Sequence, residues 1–281
     1  MQFAIANYRD HQAALTGLLE AACGKRFVFI EGEKDYGKTW LLQWFQMEFA
    51  PRCPLIHVDL AAPDEVFSPP VIVAKCVSII GSKHFTGPDC AYAKYRLEEM
   101  SSPRSAEVSG NKITGNNINI TATARGETPR EQLVNAMTLT NAFIEDLTRL
   151  PADFPPFVIS IDGYDHTAPD QAMIQIKQWL DGSLLPGLCA VPQARCVLAG
   201  RRLPDVATKA WSGDCAKREL KGVPDTREWL DLARIMKKGY PPKAKDDPAR
   251  YLDNVVDALK GVPGSIMPVL QGWPAEGADG R

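Results

Sequence analysis

Paired cysteines and clustered histidines are missing from the sequence. The seven cysteines form an odd count without a C-x-x-C pair, and the four histidines are scattered. Neither a disulfide framework nor a zinc site is indicated, so we expect a reducing, cytoplasmic compartment. No G-x-S-x-G or Cys/His arrangement suggests nucleophilic catalysis.

Long apolar runs are missing as well. None reaches the roughly 18 residues of a membrane span, and the N-terminus lacks the pattern of a signal peptide, so we expect a soluble chain without a membrane partner. The formal net charge of -2 indicates no global attraction to nucleic acid. The 281 residues suit one large α/β domain, or a core domain with a small helical appendage.

Helical and strand patterns alternate along most of the chain. Short apolar, β-rich runs predict strands, and apolar positions at helical spacing predict the segments between them. Such alternation favours a parallel β-sheet covered by helices on both faces, a three-layer α/β/α core. The strands are predicted at 27–30, 55–60, 157–161 and 195–199, and the helices at 10–23, from 38 onward, and at 71–80, 130–150 and 171–180.

The pattern breaks in two places. Residues from about 81 to 129 look like an insertion, with a β-hairpin or a mobile surface loop around 112–120. After Pro204 the sequence becomes helical and proline-punctuated, with a final helix at 249–260, which suggests a small helical lid. We therefore divide the chain into a core at 1–205, a lid at 206–272 and a flexible tail at 273–281.

One motif is highly specific. The residues between the first strand and the next helix match G-x-x-x-x-G-K-[ST], and both the strand before and the helix after are as the motif requires. They predict a phosphate loop that binds a nucleoside triphosphate with Mg²⁺, although the two acids in the loop slightly oppose phosphate binding. The motif residues are Gly32, Glu33, Lys34, Asp35, Tyr36, Gly37, Lys38 and Thr39.

The roles within this motif follow from its chemistry. Lys38 reaches the β and γ phosphates, and the hydroxyl of Thr39 ligates Mg²⁺. Asp162, which follows the apolar strand at 157–161, is placed to hold the water shell of the metal ion. Asp165 is a candidate to orient or deprotonate the attacking water, although the segment 162–165 also suits an ordinary turn.

These residues resemble the STAND branch of the AAA+-related P-loop NTPases, especially its NACHT-like members. In that group the metal-binding Asp is followed by a small residue, a hydrophobic residue and two acids. Gly163, Tyr164 and Asp165 fit this pattern, but His166 stands where the second acid is usual. The resemblance implies an ATPase switch that forms nucleotide-dependent oligomers or acts on a separate effector or sensor, often in bacterial signalling or defence.

Three further candidate positions come from the same resemblance. Arg9 resembles the arginine before the first helix that packs beside the nucleotide base, with an ordinary helix-start charge as the alternative. Arg201 or Arg202, after the fourth strand, resembles the polar sensor of the γ phosphate. Pro263 resembles the proline of the lid that approaches the nucleotide.

Other readings stay open. Because His166 replaces the second acid, the chain could also be a nucleotide-binding scaffold that does not hydrolyse ATP. The sequence lacks the N-K-x-D motif of guanine binding, which favours adenine over guanine only weakly. Residues 195–250 hold 14 Lys and Arg against 8 Asp and Glu, which allows a DNA-associated ATPase or a solvated surface. Trp40 follows the phosphate loop directly and is included among the candidate nucleotide contacts, but Trp40 and Trp44 also have the four-residue spacing of core side chains.

Overall fold

A computed structural model describes residues 9–19, 24–62, 67–101, 128–164, 171–207, 209 and 212–276. Within these ranges, five strands form one sheet in the order β2-β3-β4-β1-β5, and every neighbouring pair is parallel. The strands are β1 (Phe27–Glu31), β2 (Leu55–Asp59), β3 (Phe157–Asp162), β4 (Ala194–Gly200) and β5 (Cys215–Glu219).

Helices connect these strands and continue beyond them. The helices that precede β5 in the chain are α1 (Arg9–Leu19), α2 (Lys38–Phe49), α3 (Pro69–Ile80), α4 (Ala91–Ser101), α5 (Pro129–Thr148), α6 (Gln171–Trp179) and α7 (Leu185–Leu188). A π-helical turn, Leu180–Leu184, joins α6 to α7. After β5 follow α8 (Thr226–Ile235), α9 (Pro248–Ala258) and α10 (Pro263–Gln271). None of the described helices combines the length and hydropathy that crossing a bilayer requires.

The interior strand β1 is buried on both faces, which explains its unbroken apolar run. Phe27 and Phe29 belong to the larger hydrophobic cluster, formed with α3, α5, α6 and α7. Val28 and Ile30 belong to a second cluster, formed with α1 and α2. Since alternate side chains of a strand point to opposite faces, helices cover both sides of the sheet. The predicted three-layer α/β/α core is confirmed.

The helices after β5 have a hydrophobic cluster of their own. Trp229 of α8, 1% exposed, lies at its centre, and its indole N–H donates to the carbonyl of Val223 at 2.9 Å. Leu252 of α9 and Leu270 of α10 complete the packing. This arrangement is the small C-terminal helical lid that the proline-punctuated sequence predicts.

Two segments, one assigned to the lid and one to the tail, have a different structure from the one predicted. The strand β5 was not predicted, yet Cys215–Glu219 pairs with β1 and belongs to the sheet, so the core extends past the predicted boundary at 205. Trp273 is only 4% exposed, and the N–H of Glu276 donates to the carbonyl of Lys237 at 2.9 Å. Residues 273–276 are therefore packed on the lid, whereas 277–281 lie outside the described residues.

The predicted insertion contains regular structure at its start. A 3₁₀ turn, Ser82–Phe85, leads toward α4. The buried carboxylate of Asp146 on α5 accepts hydrogen bonds from the N–H groups of Ala91 and Tyr92, at 2.9 and 2.7 Å. These bonds cap the first turn of α4 and fasten it to α5. The hairpin predicted around 112–120 lies outside the described residues.

Candidate functional site

The loop between β1 and α2 curls around the tip of Lys38. The ammonium group of Lys38 donates 2.7 Å hydrogen bonds to the carbonyl oxygens of Gly32 and Glu33. Gly37, the residue before α2, has φ 83° and ψ 18°, a left-handed conformation that costs glycine little. The loop therefore holds a positive charge beside a helix N-terminus, whose dipole adds a partial positive charge.

A hydrogen bond joins this loop to the end of β3. The Thr39 hydroxyl donates to Oδ2 of Asp162 at 2.6 Å, across 123 positions of sequence. The bond is possible because β4 alone separates β1 from β3, and the carboxyl ends of parallel strands meet at one edge of a sheet. The two residues predicted as metal ligands are thus brought together.

Asp162 is buried, with only 4% of its surface exposed to solvent. Burial raises the pKa of its carboxyl above the ordinary value, an increase that the hydrogen bonds from Thr39 and from the Gly163 N–H oppose. The hydroxyl of Thr39 and the carboxylate of Asp162 are hard oxygen donors of the kind that Mg²⁺ prefers. The residues present therefore fit a magnesium ion that keeps most of its water ligands.

A second carboxylate lies at the same sheet edge. Asp59 ends β2, and its Cα is the register partner of Asp162 on β3. After burial, the negative charge of Asp59 also raises the pKa of Asp162. Sequence reasoning missed Asp59, although an acid that ends an apolar parallel strand is the same signal that identified Asp162.

The lid contacts the phosphate loop directly. Pro263 begins α10, and the N–H of the next residue, Gly264, donates to the carbonyl of Asp35 at 2.8 Å. Further back, the Val223 N–H donates to the carbonyl of Gly261 at 2.7 Å. The structure thus places the predicted Pro263 beside the loop, whereas sequence reasoning did not identify Gly264.

A cavity of about 490 Å³ opens between the loop and the end of β5. Glu33 and Tyr36 of the loop line it, together with Arg201 and the backbone of Leu220 to Gly222. Arg201 follows the last residue of β4 and is exposed. The predicted Arg201 therefore lines the same cavity as two residues of the loop.

Tyr164 ties the turn after Asp162 to neighbouring elements. Its N–H donates to the carbonyl of Ala199 on β4 at 3.1 Å, and its hydroxyl donates to Oδ2 of Asp181 in the π-helical turn at 2.7 Å. Burial raises the pKa of the Tyr164 phenol, and the bond to the Asp181 carboxylate raises it further. Tyr164 is thus a buried anchor for the strand end that carries Asp162.

Some predicted positions are not tested by this geometry. Arg9 begins α1, but its side chain lies outside the described residues, as do Asp165 and His166. The core spacing of Trp40 and Trp44 predicted burial of both rings, and that prediction is wrong for Trp40. Trp40 is 36% exposed, while Trp44 is half-buried and its ring meets Phe49 edge-on at 6.0 Å.

Comparisons with known proteins add little beyond this geometry. No protein-family model matches the sequence, and no curated protein matches it significantly. One similar solved chain is from "Structure of Drosophila ORC bound to DNA", with 13% sequence identity and a TM-score of 0.43. The match covers 95% of this chain and spans 63% of the length of that chain. A likeness at this level does not extend to function.

Proposed function

We propose that this chain is a nucleotide-dependent switch that binds ATP with Mg²⁺ and slowly hydrolyses it. The observation that carries the proposal is the 2.6 Å hydrogen bond between Thr39 and Asp162, which joins the phosphate loop to an acid at the end of a buried strand. A fortuitous glycine turn would not require a buried carboxylate at this point. The pairing of hydroxyl and carboxylate is what a Mg²⁺-nucleotide site needs.

The triphosphate would lie in the loop from Gly32 to Thr39. The ammonium group of Lys38 donates hydrogen bonds to two loop carbonyls. When a triphosphate binds, the same group would donate to phosphate oxygens instead. Phosphate oxygens carry a negative charge that the carbonyl oxygens lack, so they attract the Lys38 ammonium more strongly. The exchange therefore favours an anion over the internal contacts.

The metal site would be formed by Thr39 and Asp162. Mg²⁺ bound there would neutralise phosphate charge and support displacement at the γ phosphate. Thr39 and Asp162 would hold the ion, while Arg201, beside the loop, would contact the γ phosphate. We infer ATP rather than GTP as the nucleotide because the sequence lacks the N-K-x-D motif of guanine binding.

The lid would convert nucleotide state into a change of assembly. The Gly264–Asp35 hydrogen bond places the first turn of α10 on the loop that would hold the phosphates. A loop conformation that changes with the γ phosphate would therefore shift α10, and with it the lid. We propose that the chain signals in this way, as a STAND-like, NACHT-like module in an oligomer or with a separate effector, including roles in bacterial defence.

The DNA-associated alternative is less well supported by the charges. Several basic side chains between the start of β5 and the end of α8 form ion pairs with acids. Among the described residues these pairs are Lys217–Glu31, Lys221–Glu219 and Arg234–Asp231. Duplex DNA binding that weakens steeply with salt would restore this alternative.

The test measures ATP binding and phosphate release for the wild type, Lys38→Ala, Thr39→Ala and Asp162→Ala. Thr39→Ser is the matched control because it keeps the hydroxyl that meets Asp162. We expect Lys38→Ala to lose affinity by at least about tenfold, since a charge-assisted contact contributes roughly 1.5–3 kcal/mol. Thr39→Ala should lose the Mg²⁺-dependent part of binding and turnover, and Thr39→Ser should retain most of both.

The outcomes separate the remaining alternatives. Phosphate release by the wild type that is lost in Lys38→Ala and Asp162→Ala supports the ATPase. Tight binding by the wild type without phosphate release favours a hydrolysis-deficient scaffold. No nucleotide binding by the wild type would refute the proposed function.

A further inference from the structure

Two carboxylates end neighbouring strands at the edge of the sheet that carries the phosphate loop. Asp59 is the last residue of β2, and its register partner is Asp162, the last residue of β3. Adjacent parallel strands lie about 4.8 Å apart. The backbone bond from the Leu60 N–H to the carbonyl of Asp162, at 3.0 Å, continues this pairing past the strand ends.

Both carboxylate oxygens of Asp162 are engaged in holding the metal side of the site. Its Oδ2 accepts from the Thr39 hydroxyl at 2.6 Å, and its Oδ1 accepts from the Gly163 N–H at 2.8 Å. The proposed function already assigns this carboxylate to the water shell of the metal ion. Hydrolysis therefore needs an acceptor other than Asp162.

Asp59 has a carboxylate oxygen that can accept a hydrogen bond from a reacting water. Its Oδ1 accepts from the Ala61 N–H at 2.9 Å, while its Oδ2 accepts no hydrogen bond from any residue in the described ranges. The side chain is half-buried, so it combines a fixed position with access to water. One oxygen is thus held by the backbone and the other is left to accept from a ligand.

The turn after Asp162 brings the chain close to this carboxylate. Gly163 has φ +70°, and a Cβ on it would lie 3.6 Å from Oδ1 of Asp59 and 3.1 Å from the backbone N of Ala61. A side chain at position 163 would therefore crowd the end of β2. The glycine lets the Asp59 carboxylate lie against the backbone that immediately follows the metal-binding acid.

We propose that Asp59 is a catalytic residue that orients the attacking water in nucleotide hydrolysis; this inference rests on the proposed function. Its ionised carboxylate accepts a hydrogen bond from the water, whose oxygen forms a bond to the γ phosphorus. The bond between that phosphorus and the oxygen bridging to the β phosphate breaks. The proton released by the water passes to the Asp59 carboxylate and from there to a phosphate oxygen, so the products are a nucleoside diphosphate and inorganic phosphate, and Asp59 ends ionised as it began.

A purely structural role for Asp59 makes a different prediction. If the residue only accepts from the Ala61 N–H, Asn serves as well, because its amide oxygen accepts the same bond. If it also takes the proton of the oriented water, Asn cannot replace it, because a neutral amide does not accept a proton, and activity falls. Asp59→Asn therefore separates the two roles without removing the local hydrogen bond.

The experiment measures ATP affinity, single-turnover phosphate release and melting temperature for the wild type, Asp59→Asn and Asp59→Glu. Asp225→Asn is the matched control, because the side chain of Asp225 accepts from the N–H two residues later, Arg227, in the lid. We expect Asp59→Asn to retain ATP affinity within about threefold and to lose turnover by about 10²–10⁴-fold, the range for a group acting on the transferred proton. Asp225→Asn should match the wild type in affinity and turnover.

Three results would overturn the inference. The first is turnover by Asp59→Asn within about twofold of the wild type, and the second is loss of ATP affinity by Asp59→Asn comparable to that of Lys38→Ala. The third is ATP binding by the wild type without turnover. Absence of ATP binding by the wild type would instead overturn the proposed function, which the affinity measurement shows before any turnover is measured. Partial turnover by Asp59→Glu, with an unchanged melting temperature, would support the role.

Discussion

Gly264 in the first turn of α10 donates its N–H to the carbonyl of Asp35 in the phosphate loop, at 2.8 Å. The two residues are 229 positions apart in the sequence. A Cβ on Gly264 would lie 2.5 Å from the Cβ of Asp35 and 3.0 Å from its carbonyl oxygen. The lid thus meets the loop at a point where only hydrogen fits.

Gly264→Ala should therefore separate the lid from the loop. Overpacking of this kind costs about 1–3 kcal/mol, so we expect ATP affinity to fall by roughly 5- to 150-fold if closure and binding are coupled. Isothermal titration of the variant with Mg²⁺-ATP measures this change. Gly272→Ala, at the residue that follows the same helix, is the control, because its added Cβ would come no closer than 3.5 Å to its neighbours. Equal affinities for the two variants would contradict coupling between lid and loop.

Asp162→Asn should stabilise the chain at neutral and alkaline pH while removing Mg²⁺-dependent binding. The pKa of Asp162 is raised by burial, so the folded chain binds its proton more tightly than the unfolded chain does. Its ionisation consequently costs stability once the pH rises through the raised pKa. Asn has no charge to bury and avoids this cost.

Thermal unfolding without nucleotide or Mg²⁺, between pH 5 and 8, tests whether Asp162→Asn raises or lowers the stability of the folded chain. The melting temperature of Asp162→Asn should exceed that of the wild type at pH 8, by about 2–4 °C for each kcal/mol of relieved cost. The difference should shrink as the pH falls toward about 4, the ordinary value for Asp. Asp153→Asn, at an exposed acid, is the control. A lower melting temperature for Asp162→Asn at pH 8 would show that its hydrogen bonds outweigh the burial of charge.

Trp229→Ala should loosen the lid without unfolding the sheet. Trp229 is 1% exposed within the lid cluster, and truncating such a ring costs about 3–5 kcal/mol. Hydrogen exchange followed by mass spectrometry should show faster exchange in α8, α9 and α10 and unchanged protection in β1, β3 and β4. Trp229→Phe keeps most of the ring but loses the hydrogen bond to Val223, so its effect should be smaller. A uniform loss of protection would show that lid and core unfold as one unit.

Four of the five described strands were predictable, since β1, β3 and β4 are short apolar runs buried on both faces and β2 alternates buried and half-buried residues. β5 was not, since its residues, Cys-Ala-Lys-Arg-Glu, are mostly exposed at the sheet edge and form no apolar pattern. This strand exists because β1 offers it a row of backbone partners. Backbone pairing leaves no trace in side-chain periodicity, so the core boundary at 205 was placed too early.

Helical spacing also did not predict the burial of both tryptophans of α2. A separation of four positions predicts that Trp40 and Trp44 share a face, but it does not show what covers that face. Trp44 packs near Phe49, whereas Trp40 lies in the first turn, beside the exposed loop. Burial depends on neighbours from elsewhere in the chain.

The sequence by itself determined the glycine motif between β1 and α2, the parallel α/β core and the acid that ends β3, because each depends on local spacing or on a short apolar run. Only the tertiary structure decided that Thr39 meets Asp162, that Asp59 ends the neighbouring strand and that Gly264 of the lid rests on Asp35. Those relationships depend on strand order and on the docking of α10. Both are set by packing between segments far apart in the chain, which no local pattern records.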